Sequence, residues 1–512
     1  MAQAASASWV DAHLGLERLG APAAGAGHSA SEAMAFSGVD AESLFNTPCM
    51  GYDYDDLVCV PSQCKASVVK VDLSTRLSRN ITLSCPIVSA PMDTVTEGRM
   101  AIACALAGGV GVVHGGSSAE HQAREVSMVK RFETGFIMDP LVLGPSDTVE
   151  TAIGARQDGE DSTVLVCEGG RMGNKLLGIV TSRDIDFVED RATRLADIMT
   201  PKAHMVFGKE PITLTKANSD LVSCKKGKLP ILNDAGEVVA LVSRHNLKKA
   251  RDYPLASRDA NRQLLVAAAC SALPDSAERV RMLVEAGVDV LVLNASQGNS
   301  VRQIDFLKQV KDQYPSLDVI CGNVVAPRQA KPLLDAGADA LRVGMGCSSL
   351  CASEACAVGR PQASAVYHTA RFAAEQRSVP VVADGGVRGS GHFAMALALG
   401  ASTVMCGSML AGTAEAPGGA FYHEGQRLKL YRGAGLVGTA PDGAAPSAAA
   451  AVGGVVADQG PLGNLLPGLL EGVRSEMRRL GVGSIPQLHE GLYSSSLRFQ
   501  SRGAGMASSV VR

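Results

Sequence analysis

Cys351 closes the run Leu341-Arg-Val-Gly-Met-Gly-Cys-Ser-Ser-Leu-Cys351, which begins as a short apolar strand and breaks into a Gly/Ser loop. A thiol in that place is a candidate covalent nucleophile. The small residues before it, Ser349 among them, let backbone N–H groups approach an anionic group closely. Asp384-Gly385-Gly386 and Cys406-Gly407-Ser408 also follow directly on apolar strands. Three such loops predict one phosphate-bearing ligand held beside one cysteine.

These loops need elements to position them, and a local repeat supplies the pattern. Ala286-Gly-Val-Asp-Val-Leu291, Ala336-Gly-Ala-Asp-Ala-Leu341 and Leu399-Gly-Ala-Ser-Thr-Val404 each put a Gly at a helix end, then a short polar turn, then a buried strand. Strands are expected at Pro86–Ala90, Val110–His114, Leu264–Cys270, Val290–Asn294, Val319–Asn323, Leu341–Gly344, Val381–Asp384 and Thr403–Gly407. Eight strand–helix units predict an α/β (β/α)₈ TIM barrel with its chemistry at the C-terminal strand ends. A doubly wound sheet would carry GxGxxG after its first strand, and that signal is absent.

One interval breaks the rhythm. Roughly 130 residues separate the helix ending near Arg131 from the strand at Leu264, too many for a loop. They hold two similar halves, one ending in Leu177-Gly-Ile-Val-Thr-Ser-Arg-Asp184 and the other in Val239-Ala-Leu-Val-Ser-Arg-His-Asn246. A duplicated β-rich unit inserted in a barrel reads as a separate regulatory or assembly domain. The expected division is an Ala/Ser-rich arm at 1–36, barrel at 37–132, insert at 133–252, barrel with a short flap at 253–490 and a tail at 491–512.

Composition narrows the class. With 512 residues, 46% hydrophobic, 55 Gly and 4% aromatic, the chain fits a large α/β enzyme packed with Val, Ala and Leu. A net charge of −3 and the lack of a basic stripe give no reason to expect nucleic acid as a partner. No apolar run is long enough for a membrane span. The 13 cysteines show neither CxxC pairs nor zinc spacing, so most read as small buried hydrophobes in a reducing, cytoplasmic setting. Cys270, Cys321 and Cys406 are expected in the core, and Cys347 and Cys356 as small packing residues. His114 reads as a satisfied structural histidine.

Together these features resemble the IMP dehydrogenase/GMP reductase family. The resemblance runs from about Asp40 to Gln500 and rests on Ser89-Ala-Pro-Met-Asp-Thr-Val95, Ser296-Gln-Gly-Asn-Ser300, Gly322-Asn-Val-Val325, Gly344-Met-Gly346 through Cys351, Gly359-Arg-Pro-Gln362, Asp384-Gly-Gly386 and Tyr431-Arg-Gly433. It implies a Cys351 thiolate that attacks C2 of a purine nucleotide, GMP or IMP, with hydride exchanged between C2 and a nicotinamide. The implied phosphate site is Ser349, Gly385, Gly386, Gly407, Ser408, Tyr431, Gly433 and Gly435. Asp384 would take the ribose, since a carboxylate can accept both hydrogen bonds of a vicinal diol. Asn294, Ser296, Asn323 and Gly344 would line the nicotinamide pocket. Gly344, Gly346 and Cys351 would offer carbonyls to a monovalent cation such as K⁺. The insert resembles a tandem CBS (Bateman) module for regulatory purine nucleotides, with Thr181 and Asp184 as the ribose contacts of its first half. Tetramers, joined into octamers by the insert, are implied as well.

The sequence also departs from the family. Dehydrogenases of the family carry an Arg-Tyr pair in a flap after Tyr-Arg-Gly, and its Arg activates the hydrolytic water. Here that region, Ala434 to Ala451, is shorter and Ala-rich, and no Arg falls between Arg432 and Arg474. Losing such a base costs hydrolysis about 10²–10⁴-fold. Asn294 replaces a family Asp, and the segment from Cys351 to Gly359 is one residue short. Ser353 and Glu354 remain near the cysteine to polarise a leaving amine or a water. The expectation is a GMP reductase using NADPH that retains the CBS module. The alternatives are an IMP dehydrogenase using NAD, and a catalytically weak regulatory homologue.

Overall fold

Eight short apolar segments pair in parallel and close on themselves: β1 (Ile87–Ser89), β2 (Val110–Val113), β3 (Ala267–Cys270), β4 (Val290–Asn294), β5 (Asp318–Val324), β6 (Ala340–Val343), β7 (Val381–Asp384) and β8 (Thr403–Cys406). The computed structural model describes residues 39–46, 50–63, 70–132, 136–137, 140–155, 163–186, 188–244, 248, 251–273, 276–347, 357–432 and 453–502. Closure runs through Cys406 opposite Ser89 and Ala268 opposite Val113. The barrel predicted from the repeat is therefore the fold, with strand ends shifted by a few residues. Leu264 stands outside β3 and forms an isolated bridge with Arg258 instead.

The strands carry continuous runs of Val, Ala, Leu and Ile because both faces are buried, as parallel strands under helices require. Helices α1 (Gly98–Leu106), α2 (Ala119–Lys130), α3 (Ser276–Glu285), α4 (Val301–Gln313), α5 (Pro327–Asp335), α6 (Gln362–Arg377) and α7 (Ser390–Ala398) follow seven of the strands. One hydrophobic core joins them. The C-terminal part is more than a tail. Helix α8 (Leu462–Arg479) packs on α7, the expected boundary at 490 falls inside helix Ile485–Tyr493, and Arg498–Ser501 is the central strand between Val39–Asp40 and Leu57–Cys59.

The insert folds as two four-stranded sheets with one plan. In the first, hairpin Val164–Cys167/Leu176–Val180 is flanked by parallel Val142–Leu143 and antiparallel Thr200–Pro201. In the second, hairpin Lys228–Leu232/Val238–Ser243 is flanked by parallel Gly208–Lys209 and antiparallel Phe136–Ile137. Each half lends its edge strand to the other. Phe136–Ile137 precedes the first half but completes the second sheet, and Thr200–Pro201 does the reverse. Ile137, Leu165, Leu176, Val238 and Leu241 then share one core, so the halves are expected to fold as a unit. Among the described residues no helix is long and apolar enough to cross a membrane.

Candidate active site

A charged residue sits inside the apolar strand β6. Arg342 is 4% exposed, a burial that demands partners. Its Nε donates to Asp384 Oδ2 at 2.9 Å, its Nη2 lies in ion-pair contact with the same oxygen at 2.9 Å, and its Nη1 donates to Asn294 Oδ1 at 2.6 Å. Asn323 Nδ2 donates to the same Asp384 oxygen at 2.9 Å and to the Gly344 carbonyl at 2.7 Å. The C-terminal ends of β4, β5, β6 and β7 are thus joined by one polar chain. Asp384 Oδ2 takes both hydrogen bonds and the Nη2 ion pair, while Oδ1 accepts no hydrogen bond among the described residues.

The backbone around Asp384 is equally constrained. Gly344 has φ +153°, and a Cβ there would stand 2.0 Å from the Asp384 carbonyl oxygen. The Gln362 amide at the start of α6 donates to the carbonyls of Val343 (2.9 Å) and Asp384 (3.0 Å). Its Oε1 accepts from Cys347 Sγ at 3.2 Å. The Gln362 N–H donates to Asp53 Oδ1 at 2.6 Å, so segment 50–56 is tied to the strand ends. Tyr54, from that segment, lies 3.4 Å from a Cβ built on Gly386, and burial pushes its phenol pKa well up.

The second and third small-residue loops lie side by side. β7 and β8 pair at Asp384 and Met405, placing Gly385-Gly386 next to Gly407-Ser408. Ser408 opens a single turn of helix, Ser408–Ala411. Tyr431, 5% exposed, comes from the strand Gln426–Arg432. Its hydroxyl lies 3.0 Å from a Cβ built on Gly407 and 3.8 Å from Met92 Sδ. Arg432 fastens that strand to the loop after β1, with its N–H on Thr94 Oγ1 at 3.1 Å and its guanidinium on Asp93 at 2.8 Å.

The structure thus gathers Asn294, Asn323, Gly344, Asp384, Gly385, Gly386, Gly407, Ser408 and Tyr431 at one end of the barrel. Ser349, Cys351, Ser353, Glu354, Gly433 and Gly435 lie outside the described residues. Asn294 accepts from Arg342 through its carbonyl oxygen. Ser296 is exposed on the loop after β4. Cys347, expected as a small packing residue, also donates its thiol to Gln362. Cys270, Cys321 and Cys406 are buried, and burial raises the thiol pKa of Cys321 and Cys406. His114 is held as a structural residue, with Nδ1 accepting from Gly116 N–H (3.1 Å) and Nε2 3.4 Å from Glu97. In the insert, Thr181 and Asp184 come together, Asp184 Oδ2 accepting both the N–H (2.7 Å) and O–H (2.8 Å) of Thr181. They cap helix Ser182–Ile185. Asn246, the second-half counterpart, lies outside the described residues.

Two implied groups can be tested against the side chains. Asn323 Oδ1 is buried with no donor among the described residues, an acceptor suited to a carboxamide N–H. The Gly344 carbonyl already accepts from Asn323, which takes one of its lone pairs and weakens the case for a cation there. Sequence reasoning missed Arg342, Gln362 and Asp53. A lone Arg inside the apolar run Ala340–Val343 was the available signal for the first.

Residues 51–510 match the model of the IMP dehydrogenase / GMP reductase domain. The chain belongs to the IMP dehydrogenase/GMP reductase family. It is 46% identical to the inosine-5′-monophosphate dehydrogenase of Toxoplasma gondii, over 91% of this chain and 96% of that protein. It is 43% identical to that of Trypanosoma brucei brucei, over 91% and 93%. Among solved structures it resembles GMP reductase from Trypanosoma brucei in complex with guanosine 5′-monophosphate, with a TM-score of 0.78 at 35% identity over 92% of this chain and 100% of that one. As a member of the family it is an oxidoreductase that works with a nicotinamide cofactor.

Proposed function

We propose that the protein is a GMP reductase, converting GMP, NADPH and a proton to IMP, ammonia and NADP⁺. The observation that carries this is the composition of the flap and of the segment leading into α8: positions 433–473 hold no Arg, Lys, His or Tyr. Hydrolysis of a covalent purine adduct needs a base on water, and a reductase needs none. The similarity to the trypanosomal GMP reductase, which spans both chains nearly end to end, supports the reading.

In this reading the nucleotide phosphate lies on Gly385, Gly386, Gly407, Ser408 and Tyr431, with Ser349, Gly433 and Gly435 completing the cradle. Asp384 holds the ribose. Cys351 Sγ bonds to C2, and the 2-amino group leaves as ammonia, with Ser353 and Glu354 near to supply its proton. Bound NADPH supplies the hydride that replaces sulfur at C2, and Cys351 returns as thiolate. Asn323 and Gly344 hold the carboxamide side of the cofactor, with Ser296 at its rim. K⁺ on Gly346 and the Cys351 loop, a CBS pair at 133–252 that binds purine nucleotides near Thr181 and Asp184, tetramers or octamers, and a cytoplasmic setting complete the proposal.

A second reading, IMP dehydrogenase with NAD, is favoured by the 42–46% identity to proteins of that name. Nicotinamide absorbance separates them. Purified protein with GMP and NADPH should consume the reduced cofactor, and with IMP, NAD and potassium should produce none. The reverse pattern overturns the reductase. Cys351→Ala should abolish turnover in whichever direction is active; full activity in that variant would sink covalent catalysis.

A further inference from the structure

Arg342 reaches the small-residue loops only through Asp384, and it is a buried cation at this end of the barrel. Asp384 is the one carboxylate within ion-pair distance of it among the described residues. The opposite nitrogen of its fork rests on the neutral Asn294. A guanidinium is planar and rigid, so fixing Nη1 on β4 fixes the angle at which Nε and Nη2 meet Asp384 on β7. Among the described residues the contacts from Arg342 and Asn323 converge on Oδ2, which holds the carboxylate in one rotation and leaves Oδ1 to accept from outside.

We propose that Arg342 is a positioning residue that sets Asp384 for the ribose hydroxyls of the nucleotide and ties that contact to the loop after β4 through Asn294. The proposal rests on the reading that Asp384 holds the ribose. A lysine cannot replace the fork, because one ammonium does not span Asn294 and Asp384 in a fixed plane. The neutral partner at 294 leaves the cation's charge to Asp384.

The test is the ratio of dissociation constants for 2′-deoxy-GMP and GMP, measured by calorimetry on the full chain without cofactor. A hydroxyl bound to a well-set carboxylate is worth about tenfold to a hundredfold. R342Q should bring the ratio close to one, R342K should restore part of it, and N294A should lower it by less than R342Q. D384N separates the two claims. If D384N leaves the ratio at the wild-type value, the ribose reading fails and takes the proposal with it. If D384N abolishes the ratio while R342Q keeps it, the positioning role is overturned and the ribose reading stands. Should R342Q fail to fold, wild-type ratios in both R342K and N294A overturn the proposal.

Discussion

Gly344 shows how tightly a single residue can be specified by its neighbours. Its φ of +153° suits glycine alone, and the Asp384 carbonyl occupies the space where a Cβ would go. Gly344→Ala should therefore displace the end of β7, costing about 2–4 kcal/mol of stability and most nucleotide affinity. Gly391→Ala, on the exposed start of α7 with open space around it, should be neutral or stabilise by about 0.5–1 kcal/mol. Denaturant titration and GMP binding check both; equal behaviour of the two variants would refute the packing argument. The role of Gly344 was only half legible in the sequence. A Gly after an apolar strand announces a turn or a ligand loop, but the Asp384 carbonyl that excludes a side chain lies 40 positions away in the chain. The contacts of Asn294 and Cys347 were illegible for the same reason. Each was judged by its place in its own segment, whereas Arg342 and Gln362, on other elements, decide its contacts.

Elements were legible where local chemistry decides them. The Gly–turn–strand repeat marked the barrel strands, because a helix C-cap and a buried parallel strand each leave a short-range trace. The exchange of edge strands in the insert left none, since Phe136–Ile137 and Thr200–Pro201 are two-residue strands whose partners are set by tertiary packing. Where the insert joins the barrel, Lys130 at the end of α2 donates to Asp259 (2.9 Å) on the returning chain and to Asp289 (2.7 Å) just before β4. That partly buried triad holds both crossings together on the barrel side, and β2 pairs directly with β3 beside it. Replacing residues 133–252 with a short Gly/Ser linker should leave the barrel folded and oxidoreductase turnover within a few-fold of wild type, because closing a short flexible loop costs little. Any response to added purine nucleotides at the insert should vanish. Steady-state kinetics and size-exclusion chromatography test this, and an insoluble or inactive product would mean that the barrel depends on the insert.

At the scale of the whole molecule, burial fixes how stability responds to pH. Desolvation, aided by the charge of Arg360, lowers the pKa of His368 from 6.5 to about 4. Burial also lowers that of His489, whose ring contacts the carbonyls of Leu397 and Ala401. Both histidines are neutral in the folded protein where the unfolded chain would take up a proton. Their contribution is complete above pH 6.5 and is lost as pH falls toward 4. Thiols act at the other end. Burial raises Cys59 and Cys104 from 9.0 to about 12 and raises Cys321 and Cys406 as well. The unfolded chain ionises these first, so their contribution is complete below pH 9 and declines above it. The melting temperature should then be flat between pH 6.5 and 9 and fall on both sides. Both histidines are partly exposed, so solvent screening reduces the share of each in the acid limb. Scanning calorimetry on the wild type and on His368→Gln and His489→Gln decides the acid limb: a slope that is shallower in neither variant removes histidine burial as its cause.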